Sequence, residues 1–587
     1  MNIDIIVVLA YFVFLIAIGW MFRNFSTSTS DYFRGGGKML WWMVGATAFM
    51  TQFSAWTFTG AAGKAFTDGF AIVILFLANA FGYFLNYVYF APKFRQLRVV
   101  TAIEAIKKRF GRTSEQFFTW GSMPDSIISA GVWLNGLAIF VAAVFNIPMD
   151  YTIIATGLVL LLMAVTGGSW AVVASDFMQM LVIMAVTITC AVAAYFHGGG
   201  ITNIVDNFNG NFMMGSDLNY VSIFILWIVF IFVKQFGVMN NSINAYRYLC
   251  AKDSENARKA AGLACILMII GPIIWFLPPW YMNAFYPDFA QPFVESMGNK
   301  AGDAAYLAFV QKVMPSGMVG LLMAAMFAAT MSSMDSGLNR NAGIFIRNFY
   351  SPIIRKDNAS EKELMLASRI ATVAMGFIII AIGIFINSLK HLSLFDIVLN
   401  IGALIGFPML IPVLLGMWVR NTPDWSGWAT LIVGGLVSYI FGIALTADDI
   451  QNWFNLETPL SGREWSDLKV GLSLAAHVVI TGGFFLLTSR FYKGRTPERQ
   501  AEVDELFHDW NTPVVSSGEE QQNLDTKQRS LLGNLISTAG FGIITMALIP
   551  NEPSGRLLFV LCGAMVLTAG ILLIQASRKP ASPQAAA

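Results

Sequence analysis

The sequence predicts an all-α polytopic membrane protein of about fifteen spans. Three observations carry that prediction. Of its 587 residues, 56% are hydrophobic and 12% charged, with a mean hydropathy of +0.62, whereas soluble domains run near ~45–50% apolar and ~25% charged. The apolar residues gather in runs long enough to cross a bilayer, which takes ~20 residues per helix. Inside several runs sit polar residues that hydrocarbon tolerates only when they are partnered.

In order, the runs cover 3–22, 40–64, 69–92, 116–146, 151–168, 171–197, 219–246, 258–284, 316–346, 365–388, 393–418, 426–446, 469–489, 531–550 and 557–576. The first is long enough to span and lacks a basic start, so no cleavable signal peptide is expected. Residues 93–112 are basic and amphipathic and should lie along the membrane face. Polar loops fall at 198–218, 285–315 and 447–467. The mixed-charge stretch 491–529 reads as a cytoplasmic linker with one short helix reaching Trp510. The chain thus divides into an extra N-terminal helix and linker (1–30), a ten-helix core (31–420), two peripheral helices (421–490), the linker (491–529), and two C-terminal helices with a tail (530–587).

Lysine and arginine orient the chain. With the N-terminus outside and the runs alternating, 28 of the 37 basic residues fall inside and seven outside; Lys234 and Arg340 lie at membrane depth. That asymmetry predicts an N-out, C-in protein of a cell membrane, in a bacterium the inner one.

Other classes lack their parts. A net charge of +2 implies no nucleic-acid partner. Cys190, Cys250, Cys265 and Cys562 have no metal-ligand spacing and read as small core residues. No Walker A motif or nucleophile cluster is present, so neither ATP-driven transport nor an enzyme is expected. A transporter-fold sensor would need an appended signalling domain, and 491–529 is too short for one.

The polar groups inside the runs carry the chemistry. In the ninth run, Ala329, Ser332, Ser333, Asp335 and Ser336 crowd into two helical turns. Positions three and four apart share a helix face, which makes a strip of hard oxygen ligands suited to Na⁺. The competing reading has serines bonding back to the preceding turn and Asp335 neutralising Arg340 or Lys234. The second run is interrupted at Met50 to Gly60 and the seventh at Lys234 to Ser242. Unwound backbone at membrane depth frees carbonyls to serve as ion ligands. Two broken helices at matching places in two five-helix halves point to a 5+5 inverted-repeat secondary transporter with its solute site at the midplane. Asp176 reads either as a helix N-cap or first-turn acid or as a second carboxylate near the serine strip. Asp125, after Pro124, is expected at an inner vestibule or a helix break.

Several of these segments together resemble the sodium/solute symporter family, which includes galactose, sialic acid and proline symporters. The matching residues are Ser30 to Phe33, Gly36, Gly37, Lys38 and Trp42; Ser54 to Gly60; Gly167, Gly168, Ala171, Val172 and Asp176; Asn241 to Lys252 with Arg247; and Ala329 to Asn339. The resemblance runs from about Asp31 to Arg420. It implies a leucine-transporter-like core and Na⁺-coupled import of a small polar organic solute (an amino acid, carboxylate or sugar-like molecule), with no organic cofactor. It also implies a main Na⁺ site from the carbonyls of Met50, Phe53 and Ala329 and the hydroxyls of Ser332 and Ser333. A second site would use Asp176, Ser332 and Ser336, with Asp335 where those members carry a hydroxyl residue. Proton coupling through Asp176 and Asp335 is the alternative. Galactose-binding members have Glu, Gln and Lys where this chain has Phe76, Thr57 and Met268, which argues against a galactose-like pocket. Gln52, Trp56, Thr57, Asn79, Asn135 and Asn241 are the expected solute-lining residues.

Overall fold

The computed structural model describes residues 3–22, 35–145, 147–166, 169–243, 246–293, 298–389, 392–516 and 519–578. The resemblance motifs at Ser30 to Phe33 and at Gly167 and Gly168 lie outside them. Among the described residues there is no β-strand, and all fifteen apolar runs are helical. By length and composition twelve helices among the described residues can cross a membrane. Two shorter apolar helices, and the second run in its separate pieces, account for the rest.

The centre of the molecule is a broken helix wrapped by others. Its pieces are α2 (Trp41–Thr51), α3 (Ala55–Phe58) and α4 (Gly60–Asp68), preceded by α1 (Ile3–Phe22). Then follow α5 (Ala71–Leu85), α6 (Ala102–Phe145), α7 (Met149–Thr166), α8 (Ser169–His197), α9 (Val221–Met239), α10 (Ser254–Phe285), α11 (Met318–Phe345) and α12 (Glu361–Ser388). α13 (Leu394–Ile401) and α14 (Phe407–Gly416) are joined by the π-helical turn Gly402–Gly406. α2 packs on α8 and α10, α3 on α6 and α11, and α11 also against α1, α6, α8 and α12. α11 is buried along nearly its whole length, as its alanines, serines and glycines allow by letting neighbouring backbones approach closely.

The break has a local cause. Ser54 is extended (φ −150°, ψ −178°) and its hydroxyl caps α3 by accepting from Trp56 N at 3.2 Å, the usual role of an N-cap serine. Behind it the Phe53 ring is wedged among Phe49, Phe58 and Trp275, with centroids 5.2, 5.4 and 4.6 Å away. Packed aromatic rings fix their own backbone, so the Phe53 carbonyl is held in one orientation.

Two expectations shift. The seventh run is not interrupted at Lys234: α9 is continuous to Met239, and the helix gives way only at Asn240, followed by a 3₁₀ turn at Tyr246–Cys250. Asn240 and Asn241 donate to the carbonyls of Phe236 (2.9 Å) and Gly237 (3.0 Å), and so close the helix at its end. Asp176 is no N-cap, because α8 begins seven residues earlier at Ser169.

The basic stretch after α5 is helical in two pieces. Ala102 to Phe110 forms a short helix that turns sharply at Gly111, whose φ of 79° is a conformation glycine adopts without strain. After α15 (Ser426–Tyr439) and α16 (Gly462–Ala476), the linker contributes α17 (Pro497–Asn511). α17 is docked rather than loose. Arg98 pairs with Asp509 at 2.6 Å, Lys108 with Glu505 at 2.9 Å, and Arg420 with Asp504. α18 (Glu519–Thr545) and α19 (Pro553–Arg578) form a hairpin whose second arm packs on α8.

Candidate cation site and central cavity

Helix α11 meets the break at two points. Thr330 Oγ1 accepts from Ala55 N at 3.2 Å. One turn on, the Ser333 hydroxyl lies 2.8 Å from the Phe53 carbonyl and 3.2 Å from the Met50 carbonyl, with which it hydrogen-bonds. The Ser333 hydroxyl thus brings together three of the five oxygens expected for the main site, its own and the Met50 and Phe53 carbonyls. Ser332 and Ala329 are buried beside them on α11. Ser332 Oγ has no hydrogen-bond partner of good geometry, and the polar group it faces is the Asp176 carboxylate. The donors are neutral hard oxygens, with no sulfur or imidazole, which suits an alkali cation.

A second cluster adjoins the first. Asp176 accepts a short hydrogen bond from Thr47 Oγ1 on α2, and Thr51 in turn donates to the Thr47 carbonyl at 2.6 Å. Arg247 makes a short hydrogen bond to the Ser336 hydroxyl, and Tyr246 OH donates to the Ser336 carbonyl at 2.9 Å. Asp335 is 8% exposed, its Oδ1 is without a hydrogen-bond partner, and the charges that reach it are Asp176 and Arg247. Among the described residues Asp335 forms no ion pair with Arg340 or Lys234, the competing reading of the sequence, and the guanidinium that acts on it is Arg247. In the sequence Arg247 stands out only as part of a motif, and Thr47 is not among the expected site residues. The signal for Thr47 was available, since it lies one turn before Thr51 and three residues before Met50 on one helix.

On the other side of the break lies a cavity of about 170 Å³, equivalent to roughly six waters of liquid. Gln52, Trp56 and Asn79 line it as expected, together with Asp125, Lys234 and Arg340. The other three expected solute contacts do not. Asn135 is fully buried and spends its amide on the Gly383 carbonyl at 3.1 Å. Asn241 closes the end of α9 and accepts from Ile243 N at 3.0 Å. Thr57 is 1% exposed inside α3 and does not reach the cavity.

The break is also tied at its far end. Trp56 Nε1 donates to the Leu394 carbonyl at 3.2 Å and its ring stacks on Phe395 at 5.9 Å. Beyond it, Asp68 pairs with Lys64 at 2.7 Å and with Arg463 at 3.1 Å, and Arg463 reaches Asp467 at 3.6 Å. Asp68, Arg463 and Asp467 are buried and Lys64 partly so, and buried charges persist only when paired in this way.

Comparison with known proteins fits this architecture. The model of the sodium:solute symporter family matches residues 32–434, more than half of the chain. A sodium/glucose cotransporter of Vibrio parahaemolyticus is 29% identical over 64% of this chain and 73% of its own. A sodium/sialic acid symporter of Proteus mirabilis is 25% identical over 76% of this chain and 90% of its own. A solved Na⁺-coupled sialic acid symporter, substrate-bound and outward-open, shares the fold with a TM-score of 0.64 at 21% identity, covering 84% of this chain and 98% of that one. The chain is therefore a multi-pass membrane protein of the sodium:solute symporter family, with a leucine-transporter-like core and Na⁺ as its coupling ion.

Proposed function

We propose that the protein imports a small polar organic solute together with Na⁺ by alternating access around the break between α2 and α3. The observation that carries this reading is the Ser333 hydroxyl seated on the Met50 and Phe53 carbonyls. Na⁺ displaces that hydroxyl proton from between the two carbonyls and is held by Met50, Phe53, Ala329, Ser332 and Ser333. Holding the ion requires α2 and α11 to stay together, so ion binding fixes the break and, with it, Gln52 and Trp56 in the cavity wall. Ion and solute thus share one structural element, and that is the origin of their coupling free energy.

The second cluster takes a further monovalent cation. With both ionised, Asp176 and Asp335 set two negative charges against the single charge of Arg247, and a buried imbalance of one charge is met by a bound cation or by a proton. Na⁺ on Asp176, Asp335, Ser332 and Ser336 gives two Na⁺ per cycle. With the N-terminus outside, the Lys64–Asp68–Arg463 cluster seals the outer end of the broken helix, and the cavity lies inward of Trp56. Opening outward requires those ion pairs and the Trp56–Leu394 bond to part. Each positive charge moved inward gains ~2.3 kcal/mol per 100 mV.

Purified protein in proteoliposomes tests the reading, with glucose, myo-inositol and sialic acid as first probes. An inward Na⁺ gradient drives accumulation and a K⁺ gradient does not. Accumulation driven by a pH gradient without Na⁺ would replace this reading with proton coupling through Asp176 and Asp335.

A further inference from the structure

A second cavity lies among the helices that flank the ion sites. α1 packs on α8 and α11, and α19 packs on α8, while α18 packs chiefly on its hairpin partner α19. Between α1 and α18 this leaves a space of about 560 Å³, floored by α8 and α11, inside the ~300–1,000 Å³ range of small-molecule sites. Its wall is almost wholly apolar. Along α18 it runs from Thr538 to Ile549, about 16 Å at the helical rise of ~1.5 Å per residue, which is the depth of one leaflet of a ~30 Å hydrocarbon core.

The small residues around this space are not used for helix packing. In membrane helices a glycine normally lets two backbones approach closely. Gly533 and Gly540 of α18 do so: a Cβ there would come 2.8 Å from Ile574 Cγ1 and 2.4 Å from Leu567 N on α19. Gly542 lines the cavity, and a Cβ on it would meet nothing within 4 Å. Ala10, Ala324 and Ala539 face the same space.

The hydroxyls of the wall are already engaged. Thr538 Oγ1 donates to the Asn534 carbonyl at 2.9 Å and Thr545 Oγ1 to the Gly542 carbonyl at 2.7 Å. The buried Tyr11 hydroxyl faces Gln179. An apolar space of this size is stable only when filled, and water would find too few partners to fill it. The fitting occupant is a long apolar chain.

The rim supplies a charge. Beyond Ile549, Asn551 Nδ2 donates to the Ser316 carbonyl at 3.2 Å, and Arg556 Nε donates to the Asn551 carbonyl at 3.1 Å. Arg556 is exposed in the turn between α18 and α19, and among the described residues only its Nε is engaged. The remaining fork of a guanidinium at the membrane surface matches a phosphate.

We infer that this cavity is a phospholipid site. One acyl chain of a lipid from the leaflet on this side lies along α18 between Ala324 and Gly542, and its phosphate binds Arg556. The site is separate from the solute cavity, and the inference holds whatever solute is carried.

The test is native mass spectrometry of the full chain in mild detergent with dioleoyl phosphatidylglycerol, beside the melting temperature. We expect one lipid per chain to remain after the others are stripped, and the melting temperature to rise with it. Gly542→Phe, whose ring occupies the middle of the cavity, loses both the retained lipid and the rise, and still melts cooperatively; Gly542→Leu takes its place if the larger side chain prevents folding. Arg556→Gln weakens retention about tenfold, the low end for a hydrogen bond to a charged group. Glycerol phosphate, a headgroup without chains, gives no rise, and dioleoylglycerol, chains without phosphate, binds no better than phospholipid binds Arg556→Gln. A lipid retained equally by the Gly542 variant, equal binding of dioleoylglycerol and phospholipid, or no retained lipid in the unaltered protein overturns the inference. So does a lipid-free dimer that Gly542→Phe dissociates, which would assign the cavity to a second copy of this chain.

Discussion

Replacing Ser333 by alanine isolates the contact on which ion binding depends. In the structure its hydroxyl is 2.8 Å from the Phe53 carbonyl and 3.2 Å from the Met50 carbonyl. The Met50 carbonyl also accepts from Phe53 N at 3.1 Å, so it is not left bare. Losing one neutral hydrogen bond shared between two carbonyls costs the ion-free protein about 0.5–1.5 kcal/mol, a modest change for a core held by so many packed helices. The ion-bound state loses more, because one of five oxygens around a charge is gone. A polar contact to a charged group contributes about 1.5–3 kcal/mol; less the ion-free loss, that leaves about 1–1.5 kcal/mol, and at 1.4 kcal/mol per decade apparent Na⁺ affinity falls about five- to tenfold. The assay is half-saturating Na⁺ for thermal stabilisation, measured beside the melting temperature without Na⁺. A half-saturating concentration within two-fold of wild type, in a folded Ser333→Ala protein, refutes the proposed ligand set.

Three further predictions follow the same logic. Asp335→Asn removes one of the two carboxylates that face Arg247, so the ratio of Na⁺ to solute flux falls from two to one while the main site still binds; an unchanged ratio argues against a second ion there. Gly136→Ala places a Cβ 2.8 Å from Thr59 Oγ1 and 3.4 Å from Trp56 N, and overpacking of that kind costs about 1–3 kcal/mol. Both melting temperature and Na⁺ affinity should drop, because α3 is displaced. Asp424 accepts from Arg499 Nε at 2.8 Å and Arg495 Nε at 3.1 Å. Burial pushes its carboxyl up, but the bonds and charges of Arg499 and Arg495 outweigh that and hold it below its usual range. A carboxylate depressed in the folded state stabilises above its unfolded pKa and loses that contribution as pH falls through the folded one. The docking of α17 is then intact at neutral pH and weakens only below about pH 4. Limited proteolysis of 491–516 follows it, and Asp424→Asn loosens the segment already at pH 7.

Much of this was legible in the sequence, for physical reasons that also mark where legibility stops. Lipid forbids unpartnered polar backbone, so apolar runs and their interruptions locate helices and the first break directly. Ser54 betrays the restart of the helix because a serine cap is local chemistry. The end of α9 was misplaced because Lys234 and Gln235 look disruptive in a helix, yet both extend into a cavity that no local pattern encodes. Asn135 and Asn241 resemble solute contacts by type, but their amides are consumed by carbonyls contributed by another helix and by their own helix end. The partners of Asp335 depend on how α11 faces the segment after α9, a tertiary fact that residue spacing does not carry. The tie between Met39 and Cys250, 3.1 Å from N to O, holds that segment against the start of α2 and is equally invisible from either stretch alone.

A high-resolution structure in Na⁺, with a Na⁺-free counterpart, tests the central claim most directly. The account predicts an ion between the Met50 and Phe53 carbonyls and the Ser333 hydroxyl, with Ser332 and Ala329 turned to it and the Ser333 proton no longer pointing at either carbonyl. Saturating Na⁺ that leaves the Ser333 hydroxyl bonded to both carbonyls, with no ion among these five residues, would contradict it.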